Sequence, residues 1–389
     1  MTDKDDVDRT ADAETIDTVV VGASAAGLAV AASLRRAGVP FVLLEESAAV
    51  GAAWRGHYDR LHLHTSKGLS ALPYRRWPRA VPRYPSRAQM VSYLEDYASH
   101  FRLEPRFGQR VTRLRRDADA WVTETDRIYR STRVVLATGN AHTPHVPAWP
   151  GLESFGGPVL HSSQYRNGQA WKGKRVLVVG IGNSGGEIAL DLCGNGVHPS
   201  IAVRSAVNLI PRDFLGLPIL AWAIVLGLLP TVVADAIAGV VARLTVGRVD
   251  RLGMRKLPYG PMTQIRRYAR VPLLDIGTVA RIRRGEIEIL PEPTAFSPGH
   301  ARFSDGSEHA FDAVVLATGY LPAVASLLEP EAAEAVASPD RLARGSGGEL
   351  LPGLFLCGYY VAPTGMLREI AREARRIARA IATRAKQTA

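Results

Sequence analysis

The sequence predicts an α/β protein made of two Rossmann-like dinucleotide-binding domains, the second inserted in the first. Two glycine-rich turns, at 22–27 and 180–185, each follow an apolar strand and open a helical stretch. An apolar strand ending in Ala-Thr-Gly occurs at 137–139 and again 180 residues later, at 317–319, as if two domains exchange chain at similar crossing points. A chain of 389 residues, 47% of them hydrophobic, is too long for one ordinary core and apolar enough for two.

Composition narrows the class. The formal charge of +11 is spread along the chain without interleaved aromatic residues, which suits anionic cofactors and excludes a nucleic-acid surface. The opening residues run the other way, with Asp3, Asp5, Asp6, Asp8, Asp12, Glu14 and Asp17 against Lys4 and Arg9, and read as a disordered acidic tail over 1–16. No apolar run follows a basic start there, so the expected location is cytoplasmic. Cys193 and Cys357 are the only cysteines and form no Cys-x-x-Cys pair, which argues against a disulfide framework, a zinc site and a redox-active dithiol, and no metal site is expected. Redox chemistry must then come from a cofactor.

In chain order, Asp17–Val21 reads as a buried strand, then Gly22-Ala23-Ser24-Ala25-Ala26-Gly27 as the turn and Leu28–Ala37 as the helix. Gly22 permits the turn, the helix start offers N–H groups to a pyrophosphate, and Gly27 lets helix and strand pack. Ser24 replaces the usual middle glycine, and its hydroxyl can donate to a phosphate. The next strand, Pro40–Leu44, ends at Glu45, placed to accept hydrogen bonds from the hydroxyls of an adenosine ribose.

The polar, aromatic segment from Gly51 through Trp54 to Pro73 reads as a loop passing over the cofactor. His64 and Lys67 are the residues expected to face a flavin ring there, against the plain alternative of two surface side chains. Ser86–Phe101 carries Met90, Tyr93, Leu94 and Tyr97 at helical spacing. Arg106–Asp126 alternates as a strand meander with Val111 and Trp121 inside, and Arg133–Leu136 leads into Ala137-Thr138-Gly139.

Lys174–Val179 is the second buried strand, followed by Gly180-Ile181-Gly182-Asn183-Ser184-Gly185, a complete G-x-G-x-x-G. Where the first unit has Glu45, 23 positions beyond its first glycine, this one has Arg204 at 24 beyond, followed by Ser205. A carboxylate suits free ribose hydroxyls, as in FAD. Arg with a neighbouring hydroxyl suits the 2′-phosphate of NADPH. The division that follows is 17–170 and 310–389 for FAD, and 171–309 for NADPH with an apolar insertion over 214–248.

Phe214–Ala234 holds 21 residues without a charge, but Pro218 and Pro230 interrupt it. Two readings stand: a pair of apolar helices over a substrate pocket that touch a membrane surface, or a true span. Ala313–Leu316 returns the chain to the FAD domain through Ala317-Thr318-Gly319. Leu354–Gly358 reads as that domain's last strand, with Gly358 near the flavin end. The final helix has an apolar stripe of Ile370, Ala374, Ile377 and Ile381, and a basic one of Arg368, Arg372, Arg375 and Arg379.

Between the two turns stands Phe155-x-Gly157-x-x-x-His161-x-x-x-Tyr165. With an FAD turn before it and an NADPH turn after it, the chain resembles the flavin-containing monooxygenases, whose identifying pattern is F-x-G-x-x-x-H-x-x-x-[FY]. Tyr58-Asp59-Arg60-Leu61-His62-Leu63-His64, Lys172-Gly173-Lys174-Arg175 and Leu274-Asp275-Ile276-Gly277 make it similar to the YUCCA-type members, which decarboxylate indole-3-pyruvate oxidatively. His64 stands where many other members carry Asn before Thr-Ser-Lys, and Tyr165-Arg166 differs from the Trp-Pro of Baeyer-Villiger enzymes. The resemblance implies hydride transfer from NADPH to flavin and addition of O2 at C4a to give a (hydro)peroxide. One oxygen atom then enters a small substrate, an aryl pyruvate or a soft nitrogen or sulfur nucleophile. Rival readings are a reductase or oxidase without oxygenation and a non-catalytic NADPH sensor. Homo-oligomers are compatible with all of these.

Overall fold

The computed structural model describes residues 13–334, 336 and 338–388. They form two compact units: one takes the chain up to Arg55, then Ser66–Thr143 and Pro322 onward, and the other takes Gly56–Thr65 and Pro144–Leu321.

In the first unit, Glu14–Val21 lies between Phe41–Leu44 and Ile128–Leu136, all parallel, and Leu354–Leu356 continues the sheet. Glu349–Leu351 closes that edge antiparallel, while Arg113–Asp117 and Ala120–Glu124 form the expected meander beside Ile128–Leu136. Helix Ala25–Ala37 is small and aliphatic from Ala25 to Leu34 and is buried on all sides. It packs against the final helix, Met366–Thr388, whose Leu367, Ile370, Ala374, Ile377 and Ile381 are buried. The end of the expected acidic tail needs correction. Glu14, Thr15 and Ile16 are strand residues paired with Tyr129, Arg130 and Ser131, and the Glu14 carboxylate is held by Arg106. Residues 1–12 of that tail lie outside the described residues.

The second unit has a five-stranded parallel sheet in the order Glu288–Leu290, His198–Ala202, Arg175–Val179, Ala313–Leu316, Val159–His161. Helix Asn183–Gly194 packs on it, burying Ile188 and Leu192 with Val176, Val178, Ile201 and Val315. Three stretches expected in the FAD domain pack here instead. Val159–His161 is an edge strand of this sheet, Ala313–Leu316 is an inner one, and Tyr58 of the 56–65 segment is buried in this core. Pairing and burial override an assignment made from chain order.

The Phe155–Tyr165 motif is accordingly part of the second unit, and each of its specified positions has a local reason. Phe155 is buried with Phe296 and Leu177. A Cβ on Gly157 would lie 2.6 Å from the Asp312 carbonyl oxygen and 3.0 Å from the Phe155 ring. His161 Nε2 donates to the Gly319 carbonyl at 3.0 Å while its Nδ1 accepts from the Ser163 N–H at 3.2 Å, and Tyr165 donates its hydroxyl to Asp191 at 2.8 Å.

The apolar insertion forms helices Ile219–Leu226 and Thr231–Thr245, broken at Gly227–Pro230. Among the described residues no helix is long and apolar enough to cross a membrane.

Candidate functional site

Each glycine-rich turn sits at the carboxyl end of a strand flanked by one neighbour on either side, the switch point where open α/β sheets bind ligands. Gly22 and Gly180 have φ of +100° and +106°, a conformation that strains any L side chain. A Cβ on Gly27 would lie 1.7 Å from the Gly22 carbonyl oxygen, and one on Gly185 would lie 2.0 Å from that of Gly180. Both collisions are with backbone. The middle position behaves differently, because a Cβ on Gly182 would meet nothing within 4 Å. Ser24, its counterpart, is the N-cap of Ala25–Ala37 yet makes no side-chain cap hydrogen bond. Neither helix has an acidic residue in its first turn, so the N–H groups of Ala25, Ala26, Ser184 and Gly185 carry the positive end of the helix dipole uncompensated.

The repeated Ala-Thr-Gly forms a wall for each turn. Ala137 and Ala317 lie where a Cβ on Gly22 or Gly180 would come within 2.9 Å or 2.6 Å of their carbonyl oxygens. Their own methyl groups abut Gly27 and Gly185, with projected Cβ separations of 3.6 Å and 3.3 Å. A larger residue there would push the helix off its strand. Thr138 shares a hydrogen bond with the Tyr359 hydroxyl at 2.7 Å, and Thr318 donates to the His145 carbonyl. Gly139 and Gly319 turn the chain with positive φ.

Glu45 is buried, with Oε2 accepting from the Ala23 N–H at 2.6 Å and Oε1 from the Ser47 N–H and hydroxyl at 3.0 and 2.7 Å. The same carboxylate that orders the turn keeps lone pairs for ribose hydroxyls. Gly358, with φ of +90°, donates its N–H to the Glu373 carboxylate at 2.8 Å, and a Cβ there would lie 3.0 Å from the Ala26 methyl in the first turn of the helix. Val111 packs inside the first unit's core, and Trp54 is half-buried in the short helix Ala52–Arg55.

In the second unit Arg204 and Ser205 are exposed beyond the strand end, Arg204 facing Glu292 at 3.9 Å. Arg255 donates to the Arg204 backbone carbonyl at 2.7 Å. Asn183 uses its side-chain oxygen to accept from the Leu274 N–H at 3.0 Å, fixing the helix start to the strand Leu273–Asp275.

His64 and Lys67 part company. The His64 Nε2–H donates to the buried carboxylate of Glu187 at 2.5 Å, on the helix that opens at the second turn. Tyr58 bonds Ser184 in the first turn of that helix, and burial with the Glu187 carboxylate beside it pushes the phenol well above its usual range. Lys67 is corrected from a flavin-facing group to a clasp. All three ammonium hydrogens have acceptors, in the carbonyls of Pro78 at 3.4 Å, Arg79 at 2.9 Å and Val81.

Glu187 and Glu373 are candidate site residues that the sequence reading passed over. Both are buried carboxylates, Glu187 beside Ile188 and Glu373 in the Ile370–Ile377 stripe with Glu369 one turn before it, and a charge within a buried stripe is the signal that would have found them. Burial pushes the Glu373 acid upward, and its Oε2 also accepts from the Ser346 hydroxyl at 2.9 Å.

Residues 19–210 match a family described as pyridine nucleotide-disulphide oxidoreductase. The dithiol in that description has no counterpart here, since Cys193 and Cys357 are both free and burial raises both thiols. The chain is 38% identical over 325 residues to a probable indole-3-pyruvate monooxygenase, YUCCA7, of Arabidopsis thaliana, covering 80% of this chain and 75% of that one. It is 39% identical over 317 residues to the indole-3-pyruvate monooxygenase YUCCA1 of Oryza sativa subsp. japonica, covering 80% and 78%. A solved flavin-containing monooxygenase from Stenotrophomonas maltophilia is similar over 96% of this chain and 99% of that one, with a TM-score of 0.69 and 26% identity. An oxidised steroid monooxygenase bound to NADP shares the fold alone, at 20% identity and a TM-score of 0.75, over 96% and 87%.

Proposed function

The chain belongs to the flavin-containing monooxygenase family, with the YUCCA-type enzymes, and from that premise we propose that it oxidatively decarboxylates an aryl-substituted 2-oxo acid. It is an NADPH-dependent FAD monooxygenase. The proposed balance is 2-oxo acid, O2, NADPH and a proton in, and the one-carbon-shorter acid, CO2, NADP+ and water out. The observation that carries the substrate reading is the 38% and 39% identity, over 80% of this chain, to proteins named indole-3-pyruvate monooxygenases, and His64 held by Glu187 is the side chain to which a positioning role is given.

The residues fit both cofactors. The first turn, with Gly22, Ser24, Ala25, Ala26 and Gly27, would hold the FAD pyrophosphate and Glu45 its ribose. Gly180, Gly182, Asn183, Ser184 and Gly185 would hold the pyrophosphate of NADPH, over the open face at Gly182. Arg204 and Ser205 would hold its 2′-phosphate and so favour NADPH over NADH. NADPH supplies the hydride and FAD the oxygen chemistry when bound. The chain's own task is to orient them and exclude water.

His64, its ring held by Glu187, is assigned to orienting substrate or cofactor rather than to covalent chemistry. Turnover of indole-3-pyruvate, phenylpyruvate and a tertiary amine by the purified protein tests the substrate class. Oxidation of the amine alone would replace this reading with nitrogen oxygenation, and NADPH consumption that yields only H2O2 would replace it with an oxidase. The proposed compartment is the cytoplasm, where NADPH is supplied.

A further inference from the structure

The insertion of the second unit exposes an apolar surface that its own core does not use. Leu215, Leu228, Val232 and Leu244 are 76, 86, 81 and 75% exposed, and Val225, Val233, Ile237 and Val240 are exposed beside them in sequence. On helix Thr231–Thr245 the exposed residues Val232, Val233, Ala236, Ile237, Val240 and Leu244 recur at helical spacing and share one face, which the exposed Arg243 borders. The opposite face is anchored. Ala234 is wholly buried, and Asp235 accepts from the N–H groups of Met262 and Thr263 at the start of helix Pro261–Tyr268. The outward face is thus fixed by a cap.

The charge around this surface is one-sided. Residues 212–271 hold nine basic side chains and three acidic ones. All three acids are engaged: Asp235 in the cap, Asp213 with Arg212 and Asp250 with Arg248. Arg243, Arg267 and Arg270 are exposed on or next to the apolar helices. Two copies of such a surface would repel one another through these basic residues. Exposed apolar residues with Arg243, Arg267 and Arg270 on or close to the same helices instead match the interface of an anionic bilayer. The two helices have 8 and 15 residues, about 12 and 22 Å at 1.5 Å per residue, too short to span but long enough to lie in the headgroup layer.

We infer that Leu215–Leu244 is a docking surface by which this protein lies on an anionic phospholipid bilayer. Its occupants are the headgroups and upper acyl chains.

The test is flotation of the full-length, FAD-loaded protein with vesicles rich in phosphatidylglycerol and with vesicles of phosphatidylcholine alone. The expected result is binding to the anionic vesicles, roughly tenfold weaker on the neutral ones. Val232→Glu combined with Leu244→Glu should abolish flotation, and Arg243→Glu combined with Arg270→Glu should remove the anionic preference. Both variants should keep the wild-type melting temperature and NADPH turnover in vesicle-free buffer, since all four side chains are exposed. Failure of the wild type to float with anionic vesicles would overturn the inference, as would variants that float like wild type. A wild-type dimer that does not float, and that the apolar double variant makes monomeric, would reassign the surface to self-association.

Discussion

Arg204, Glu187 and His161 each test one physical claim. Arg204 is exposed at a strand end with Glu292 3.9 Å away, and the partner proposed for it is a dianionic ligand group. Arg204→Ala should raise the KM for NADPH roughly tenfold or more while leaving that for NADH little changed; equal effects in steady-state assays with the two cofactors would refute the assignment. Glu187→Gln keeps the shape but removes the charge that holds the His64 ring. The expected outcome is a larger share of NADPH oxidation ending as H2O2, with the NADPH KM changed less than twofold or so. Peroxide counted against NADPH consumed checks it. His161 must be neutral to accept at Nδ1 while donating at Nε2, and burial lowers its pKa below the ordinary 6.5. The unfolded chain therefore takes up the proton first as pH falls, so the contribution is full above about 6.5 and lost progressively below it. Wild type should lose more melting temperature between about pH 7 and pH 5 than His161→Gln does; parallel curves would show that His161 does not report pH.

At the scale of an element, the glycines of one turn have different duties and so should fail differently. Gly185→Ala places a methyl 2.0 Å from a backbone oxygen, which forces helix Asn183–Gly194 away from its strand. Loss of several degrees of melting temperature, or of folding altogether, is expected. Gly182→Ala meets nothing within 4 Å and should melt like wild type while binding NADPH more weakly, because only the ligand needs that space. Calorimetry and NADPH titration on the pair separate packing from binding. Asp235 belongs to this scale too. Its carboxylate caps the helix Pro261–Tyr268, and Asp235→Ala should cost about 1 kcal/mol, read as a shifted denaturation midpoint.

At the scale of the molecule, the same strand, turn, helix and Ala-Thr-Gly wall is built twice, once in each unit. The two copies differ at the strand end that follows the helix: Glu45 is buried and bonded into the turn it serves, whereas Arg204 projects outward. The first-unit helix is covered on all sides and the second meets Tyr58 and His64 from the 56–65 segment. That segment therefore does its work on the second nucleotide helix, although it follows the first nucleotide fold in sequence.

Both turns and their order were legible in sequence, because backbone conformation and helix–strand contact at a pyrophosphate demand glycine at fixed spacing whatever the rest of the chain does. Family and cofactors followed from those local demands and from the motif between the turns. Three things were decided only in three dimensions. Packing and strand pairing drew 56–65, 144–170 and 310–321 into the second unit, since partners distant in sequence carry no local signature. Ammonium geometry made Lys67 a clasp, because acceptors at 78–81 exist only once that loop is folded over it. And the partners of buried carboxylates, His64 for Glu187 and Gly358 for Glu373, depend on which side chains the fold buries together. Local sequence fixes backbone chemistry at a turn, whereas burial is a property of the whole fold.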